Sequence, residues 1–104
     1  ARNAHANVAL YDTFGACTFA YFGFGSAPSV IPALLNARYG WEVKRDILTV
    51  LGRQTIELER EFNRHAGFTK NDDRLPEWMV NEPLPPHDAV FDVPEEDLDT
   101  IFDW

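Results

Sequence analysis

The sequence predicts an all-α fold: a small, irregular helical domain with one long central helix. Two observations carry this. Apolar residues recur at helical spacing between Lys44 and His65, and nowhere do two alternating apolar–polar runs flank a hairpin turn. Glycine and proline punctuate the remainder at positions where helices start or stop. A chain of 104 residues bounds the answer to one domain at most.

The first helix is expected from Asn3 to Tyr11, with Asn3 as N-cap and Ala4, Val8 and Tyr11 on one face. Asp12 then falls at its C-terminal end, where the helix dipole disfavours a carboxylate. Gly15 opens backbone angles closed to other residues and lets another group approach the main chain. Four aromatic residues between Phe19 and Phe24 are too many for an exposed loop, and Gly23 and Gly25 argue against a helix there.

A second helix is expected over Val30 to Tyr39. Ser29 is its cap, Pro32 lies in its first turn, and Gly40 follows as a left-handed stop. Ile31, Leu34, Leu35 and Ala37 or Tyr39 form its apolar side. The long helix is expected from about Lys44 to His65, burying Ile47, Leu48, Leu51, Thr55, Leu58 and Phe62. Gly52 inside that stripe costs about 1 kcal/mol against alanine, so it marks a close crossing with another helix or backbone. Gly67 ends the helix.

From Phe68 to Pro86 four prolines forbid long regular elements, and Leu75, Trp78, Met79 and Leu84 are spaced to pin the segment onto the helices. A last helix starts at Asp92-Val93-Pro94, with Asp92 or Val93 as cap, and presents Leu98, Ile101 and Phe102.

Composition excludes several functions. Nine basic residues against seventeen acidic ones give a net charge of −8, which argues against a nucleic-acid partner. No apolar run reaches the roughly 18 residues a membrane span needs, so no membrane role is expected. A single cysteine excludes an internal disulfide and fits a reducing, cytoplasmic setting. The start at Ala-Arg-Asn and the end inside a helical pattern suggest a domain cut from a longer polypeptide.

Asp12-Thr13-Phe14-Gly15-Ala16-Cys17-Thr18 gathers the only thiol, a carboxylate and a glycine in one short loop. Read by itself, Cys17 is a small buried hydrophobe. A nucleophile would need a neighbouring base, and His5, His65 and His87 lack the spacing of a zinc site. An iron–sulfur cluster needs about four thiolates, so this chain alone could supply one ligand to a cluster completed elsewhere. Asp12 is either a solvated helix-end residue or an acceptor for a ligand's N–H groups.

That loop resembles the D-x-x-G-L-C-x motif of tungsten-dependent aldehyde:ferredoxin oxidoreductases. The likeness continues in order. Tyr39-Gly40-Trp41-Glu42 resembles T-G-W-D, and the segment Gly52 to Arg64 resembles G-E-R…L-E-R-x-F-N-x-R. Gly67 to Pro76 resembles G-F-x-R-K-D-D-x-L-P, and Glu82-Pro83-Leu84-Pro85 matches E-P-L-P. Each piece is short; the ordered series is specific.

The resemblance implies that residues 1–104 are part of the C-terminal helical domain of a longer oxidoreductase. Such an enzyme oxidises aldehydes to carboxylic acids at a tungstopterin (or molybdopterin) and passes electrons through a 4Fe-4S cluster to ferredoxin. Cys17 would give one cluster ligand, Asp12 would hydrogen-bond the pterin, and Gly15, Ala16 and Cys17 would bring main-chain amides near it. The remaining domains of the parent and ferredoxin are the implied partners. No catalytic residue is assigned within the chain, and the isolated fragment is expected to hold no cofactor and to be inactive. Ala16 stands where the motif has leucine, and Lys44-Arg45 where the family starts its helix with threonine-proline.

The competing reading is a free-standing acidic helical interaction module with Cys17 buried. It expects the aromatics to close over a complete core. The oxidoreductase reading expects an exposed apolar face beside Asp12 and Cys17.

Overall fold

A computed structural model describes all residues, 1–104. Its regular elements are all helices, with one isolated antiparallel bridge between Leu84 and Ala89 and no sheet. Where length argues for one domain, the chain forms two compact units, Ala1–Phe62 and Asn63–Trp104.

The first unit holds α1 (Arg2–Thr13), a 3-10 turn at Thr18–Ala20, α2 (Tyr21–Ser26), α3 (Val30–Tyr39) and most of α4 (Ile47–His65). α1 starts one residue earlier than the capping pattern suggests. Ala1 occupies the cap position without a side-chain bond, so Asn3 is interior to the helix. The buried face is also rotated. Ala6, Leu10 and Tyr11 are buried, whereas Val8 is half exposed.

The expected crossing at Gly52 exists. A Cβ there would collide with the carbonyl oxygen of Ala6 and lie 2.8 Å from its carbonyl carbon. α1 and α4 thus meet backbone to backbone at Ala6 and Gly52. Ile56, one turn on from Gly52, is buried as well.

α3 has the expected limits. Gly40 takes the left-handed conformation at φ +68° and donates to Asn36 O at 2.9 Å. Ser29 is at the cap position but makes no capping bond. Ile31 and Leu35 are buried and, with Tyr11, form the centre of the core; Phe14, Ala16, Phe24, Val43 and Leu48 pack around them. Leu34 and Tyr39 stay exposed, so the apolar side of α3 is wider than the part the unit covers.

Between α3 and α4 the Asn36 side chain acts as a piece of backbone. Its Nδ2 donates to Val43 O and its Oδ1 accepts from Val43 N–H, both at 2.9 Å. α4 begins at Ile47 rather than Lys44, because Lys44 and Arg45 form a turn whose carbonyls accept from Ile47 and Leu48. Its apolar stripe is only half covered: Leu58 and Phe62 are 66% and 72% exposed. At its end Gly67 adopts φ +95° and donates to Arg64 O, while Phe68 donates to Asn63 O. That bond pair is a Schellman stop.

The second unit contains a 3-10 turn at Lys70–Asp73, α5 (Glu77–Asn81) and α6 (Glu95–Asp99). Thr69 and Asp72 form a capping box. The Thr69 N–H and hydroxyl donate to Asp72 Oδ2 at 2.7 and 2.9 Å. Arg74 bonds Asp99 at 2.5 Å and Lys70 reaches the same carboxylate at 3.4 Å, tying the 3-10 turn to α6. Phe91 N–H donates to Met79 O at 2.9 Å. The four apolar residues expected to pin this stretch, Leu75, Trp78, Met79 and Leu84, are all exposed. α6 is capped by Pro94, one residue beyond the expected Val93, because proline needs no N–H acceptor at a helix start.

Candidate functional site

The loop singled out by the sequence is a helix stop with a purpose-built geometry. Asp12 lies in the last turn of α1 and Phe14 is its C-cap. Gly15 follows at φ +62°. Its N–H donates to Asp12 O and that of Ala16 to Tyr11 O, both at 2.9 Å. These are the two bonds of a Schellman motif, and they explain the glycine: only a residue without Cβ adopts this angle cheaply. Ala16 folds inward against the Tyr11–Ile31–Leu35 cluster.

Cys17 then turns outward with extended backbone, φ −60° and ψ 133°, and opens the 3-10 turn. Its thiol is free and exposed. The reading of Cys17 as a small buried hydrophobe is therefore corrected. The cause is local: with Ala16 committed to the core, the next extended residue points the opposite way. Asp12 is exposed too, and neither its carboxylate nor the thiol forms a hydrogen bond within the chain. Nothing lies within 4 Å of where a Cβ on Gly15 would be, so the main chain at that point is open to approach.

The amides of Gly15 and Ala16 are already engaged in the helix stop. What these two residues offer outward is close approach, while Cys17 retains an N–H without an acceptor in the chain. No group of three or more His, Cys, Asp or Glu side chains converges to hold a metal ion.

The aromatic run beside this loop contradicts its sequence reading twice. Gly23 and Gly25 sit inside α2 rather than breaking it. Phe19 and Phe22 are 80% and 77% exposed, and Tyr21 is partly so. Only Phe24 packs inward, nearly parallel to Tyr11 with centroids 6.2 Å apart. An apolar hollow of about 240 Å³ opens next to Ala16, walled by Phe14, Leu34, Leu35 and Tyr39, with Arg38 at its edge. The Arg38 guanidinium lies 5.5 Å from the Tyr39 ring centre, and Tyr39 stacks on Trp41 at 4.9 Å across the Gly40 turn. An exposed apolar face thus adjoins the Asp12–Cys17 loop.

Sequence reasoning missed Asn36. A mid-helix asparagine is a weak helix former whose side chain competes for backbone groups, and that was the available signal for the Val43 clasp.

The model of a protein family described as aldehyde ferredoxin oxidoreductase, domains 2 and 3, matches residues 1–103. The chain belongs to this family. It is 37% identical over 78 residues to the tungsten-containing aldehyde ferredoxin oxidoreductase of Pyrococcus furiosus, covering 74% of this chain and 13% of that protein. Enzymes of the same name from Pyrococcus horikoshii and Thermococcus kodakarensis are each 35% identical over 78 residues, again 74% of this chain and 12% and 13% of theirs. The chain therefore spans about one-eighth of the length of these curated relatives. No solved structure matches it. No single helix of this family member is long and apolar enough to cross a membrane.

Proposed function

We propose that this chain is part of the C-terminal helical domain of an enzyme that oxidises aldehydes to carboxylic acids and delivers the electrons to ferredoxin. Its site contribution is the Asp12–Cys17 loop. When bound, a tungstopterin (or molybdopterin) supplies the two-electron oxidation and a 4Fe-4S cluster supplies the one-electron relay. The residues present fit these groups as one wall of a shared cavity. The thiol is exposed, and the chain offers no further thiolate. A cluster at Cys17 must then draw its other ligands from the parent's remaining domains. Asp12 accepts from ring N–H groups of the pterin, and its unpartnered carboxylate is free to do so. Gly15 and Ala16 let the ring edge approach the main chain, and the Cys17 N–H remains available as a donor. The loop thereby fixes the separation of two cofactors, which is the protein's share of the work. A free thiol of this kind fits a reducing compartment, and this reading takes the parent to be cytoplasmic.

The observation that carries this reading is the outward Cys17 thiol at the foot of α1, beside an apolar face left uncovered. An interaction module with a buried structural cysteine does not account for either feature.

The test uses the full-length parent. Cys17→Ala is expected to lose the cluster's iron and acid-labile sulfide, while Asp12→Asn lowers pterin content and leaves the cluster in place. A Cys17→Ala parent with full iron content and unchanged aldehyde-dependent viologen reduction would overturn the assignment. The 104-residue chain alone is expected to reduce no viologen.

A further inference from the structure

α1 delivers its last residue to a side chain on α4. The Thr13 hydroxyl lies 3.0 Å from the Thr55 hydroxyl, 42 positions away in sequence. Each hydroxyl also meets the carbonyl four residues back in its own helix: Thr13 at 2.7 Å from Ala9 O, Thr55 at 2.9 Å from Leu51 O. Two hydroxyls carry two protons, so only two of these three contacts are hydrogen bonds at any moment. A bond back into the same helix does nothing between helices. When either proton turns across the gap, α1 and α4 are joined where α1 ends.

Helix ends fray, and this end carries the candidate site. Asp12 immediately precedes Thr13, and the amides of Gly15 and Ala16 bond back to Asp12 O and Tyr11 O. Opening the last turn of α1 therefore breaks the bonds that fold the chain round to Cys17. Packing holds this corner from its inner side: Tyr11 is buried, and Phe14 and Ala16 pack against the core. Asp12, Thr13 and Cys17 are exposed. Threonine is a poor helix former, and leucine or alanine would serve the stripe of α4 better. What Thr55 adds there is the hydroxyl that faces Thr13.

We infer that Thr55 is a positioning residue for the Asp12–Cys17 loop. Its hydroxyl, bonded to that of Thr13, holds the last turn of α1 closed and thereby fixes the outward direction of the Cys17 thiol. The inference deepens the proposed function, and rests on the reading of Cys17 as a cluster ligand.

The test has two readouts, both in the full-length parent. Amide exchange at Gly15 and Ala16, followed by mass spectrometry, is expected to run about fivefold faster in Thr55→Val, the worth of one net hydrogen bond, with α3 unchanged. Thr55→Ser keeps the hydroxyl and is expected to exchange like wild type. In a Thr13→Val background Thr55→Val is expected to add nothing, because its partner is already gone. Thr55→Val is also expected to bind its full iron yet release it to a chelator about fivefold faster, and Thr55→Ser to release it like wild type.

Wild-type exchange in Thr55→Val, an equal acceleration in α3, or a Thr55→Ser parent as impaired as Thr55→Val would each overturn the positioning role. So would full additivity of the two valine substitutions, or wild-type iron release from Thr55→Val. The two failures are separable. Iron retained by Cys17→Ala sinks the ligand reading, whereas a silent Thr55→Val beside an iron-depleted Cys17→Ala sinks the positioning role alone.

Discussion

The two units of this chain are held together by different physics. In Ala1–Phe62 apolar side chains are removed from water: Leu10 is 2% exposed, and Ala6, Tyr11, Ile31, Leu35 and Ile56 are buried as well. In Asn63–Trp104 no residue is buried. Its elements are short, its prolines interrupt them, and its fixed points are polar: the Thr69–Asp72 box, the Arg74–Asp99 pair and single backbone bonds such as Phe91 to Met79. The first arrangement is cooperative and resists small changes until packing fails. The second is a set of separate clasps, each worth little where solvent reaches it, and it is the part expected to open locally.

Three substitutions sharpen the contrast. The largest effect is expected from Gly52→Ala. The new methyl meets the Ala6 backbone, which no rotamer change relieves, so the helices must separate at a cost of about 3 kcal/mol or more. Urea denaturation followed by circular dichroism reads it, and a change under 1 kcal/mol would show that the crossing is not tight. Gly15→Ala is smaller. Nothing obstructs the methyl, and only the left-handed backbone at φ +62° penalises it, by about 1 kcal/mol. One substitution type at two glycines thus separates collision from conformational cost.

The smallest effect belongs to the second unit. The hydrogen bond from Arg74 holds the Asp99 carboxyl below its ordinary value, and the Thr69 N–H does the same for Asp72. A carboxyl lowered in the folded state contributes stability above its unfolded pKa and loses it as pH falls through the folded value. Amide exchange in 69–74 and 95–99 is therefore expected to accelerate below about pH 3.8, the ordinary aspartate value, with little change in α3. Asp99→Asn is expected to remove most of that pH dependence in 95–99. Equal acceleration throughout the chain would mean that the two units do not differ in this way.

What was legible in the sequence follows the same division. Helix stops were readable because Gly15, Gly40 and Gly67 are needed for a backbone angle that other residues avoid, a local requirement written in one letter. The Gly52 crossing was readable because a glycine inside an apolar stripe is otherwise unfavourable. Burial was harder. Leu58, Phe62, Phe19 and Phe22 carry the spacing and size of core residues, yet the unit supplies nothing to cover them. Hydrophobicity reports what a residue would cost in water and not whether a partner lies within the same chain. The exposure of Cys17 was illegible for the same reason, since it depends on Ala16 taking the inward direction. Asn36 acts through geometry alone and leaves almost no compositional trace.

The contact between Ala6 and Gly52 has a mechanical consequence. Thr13, the last residue of α1, sits roughly 10 Å farther along the axis, and its hydroxyl lies 3.0 Å from that of Thr55 on α4. A rod fastened at one point swivels; fastened at two, it neither yaws nor pitches. Asp12 falls between these anchorages and Cys17 only four residues past the second, so the corner they occupy is an overhang too short to wander.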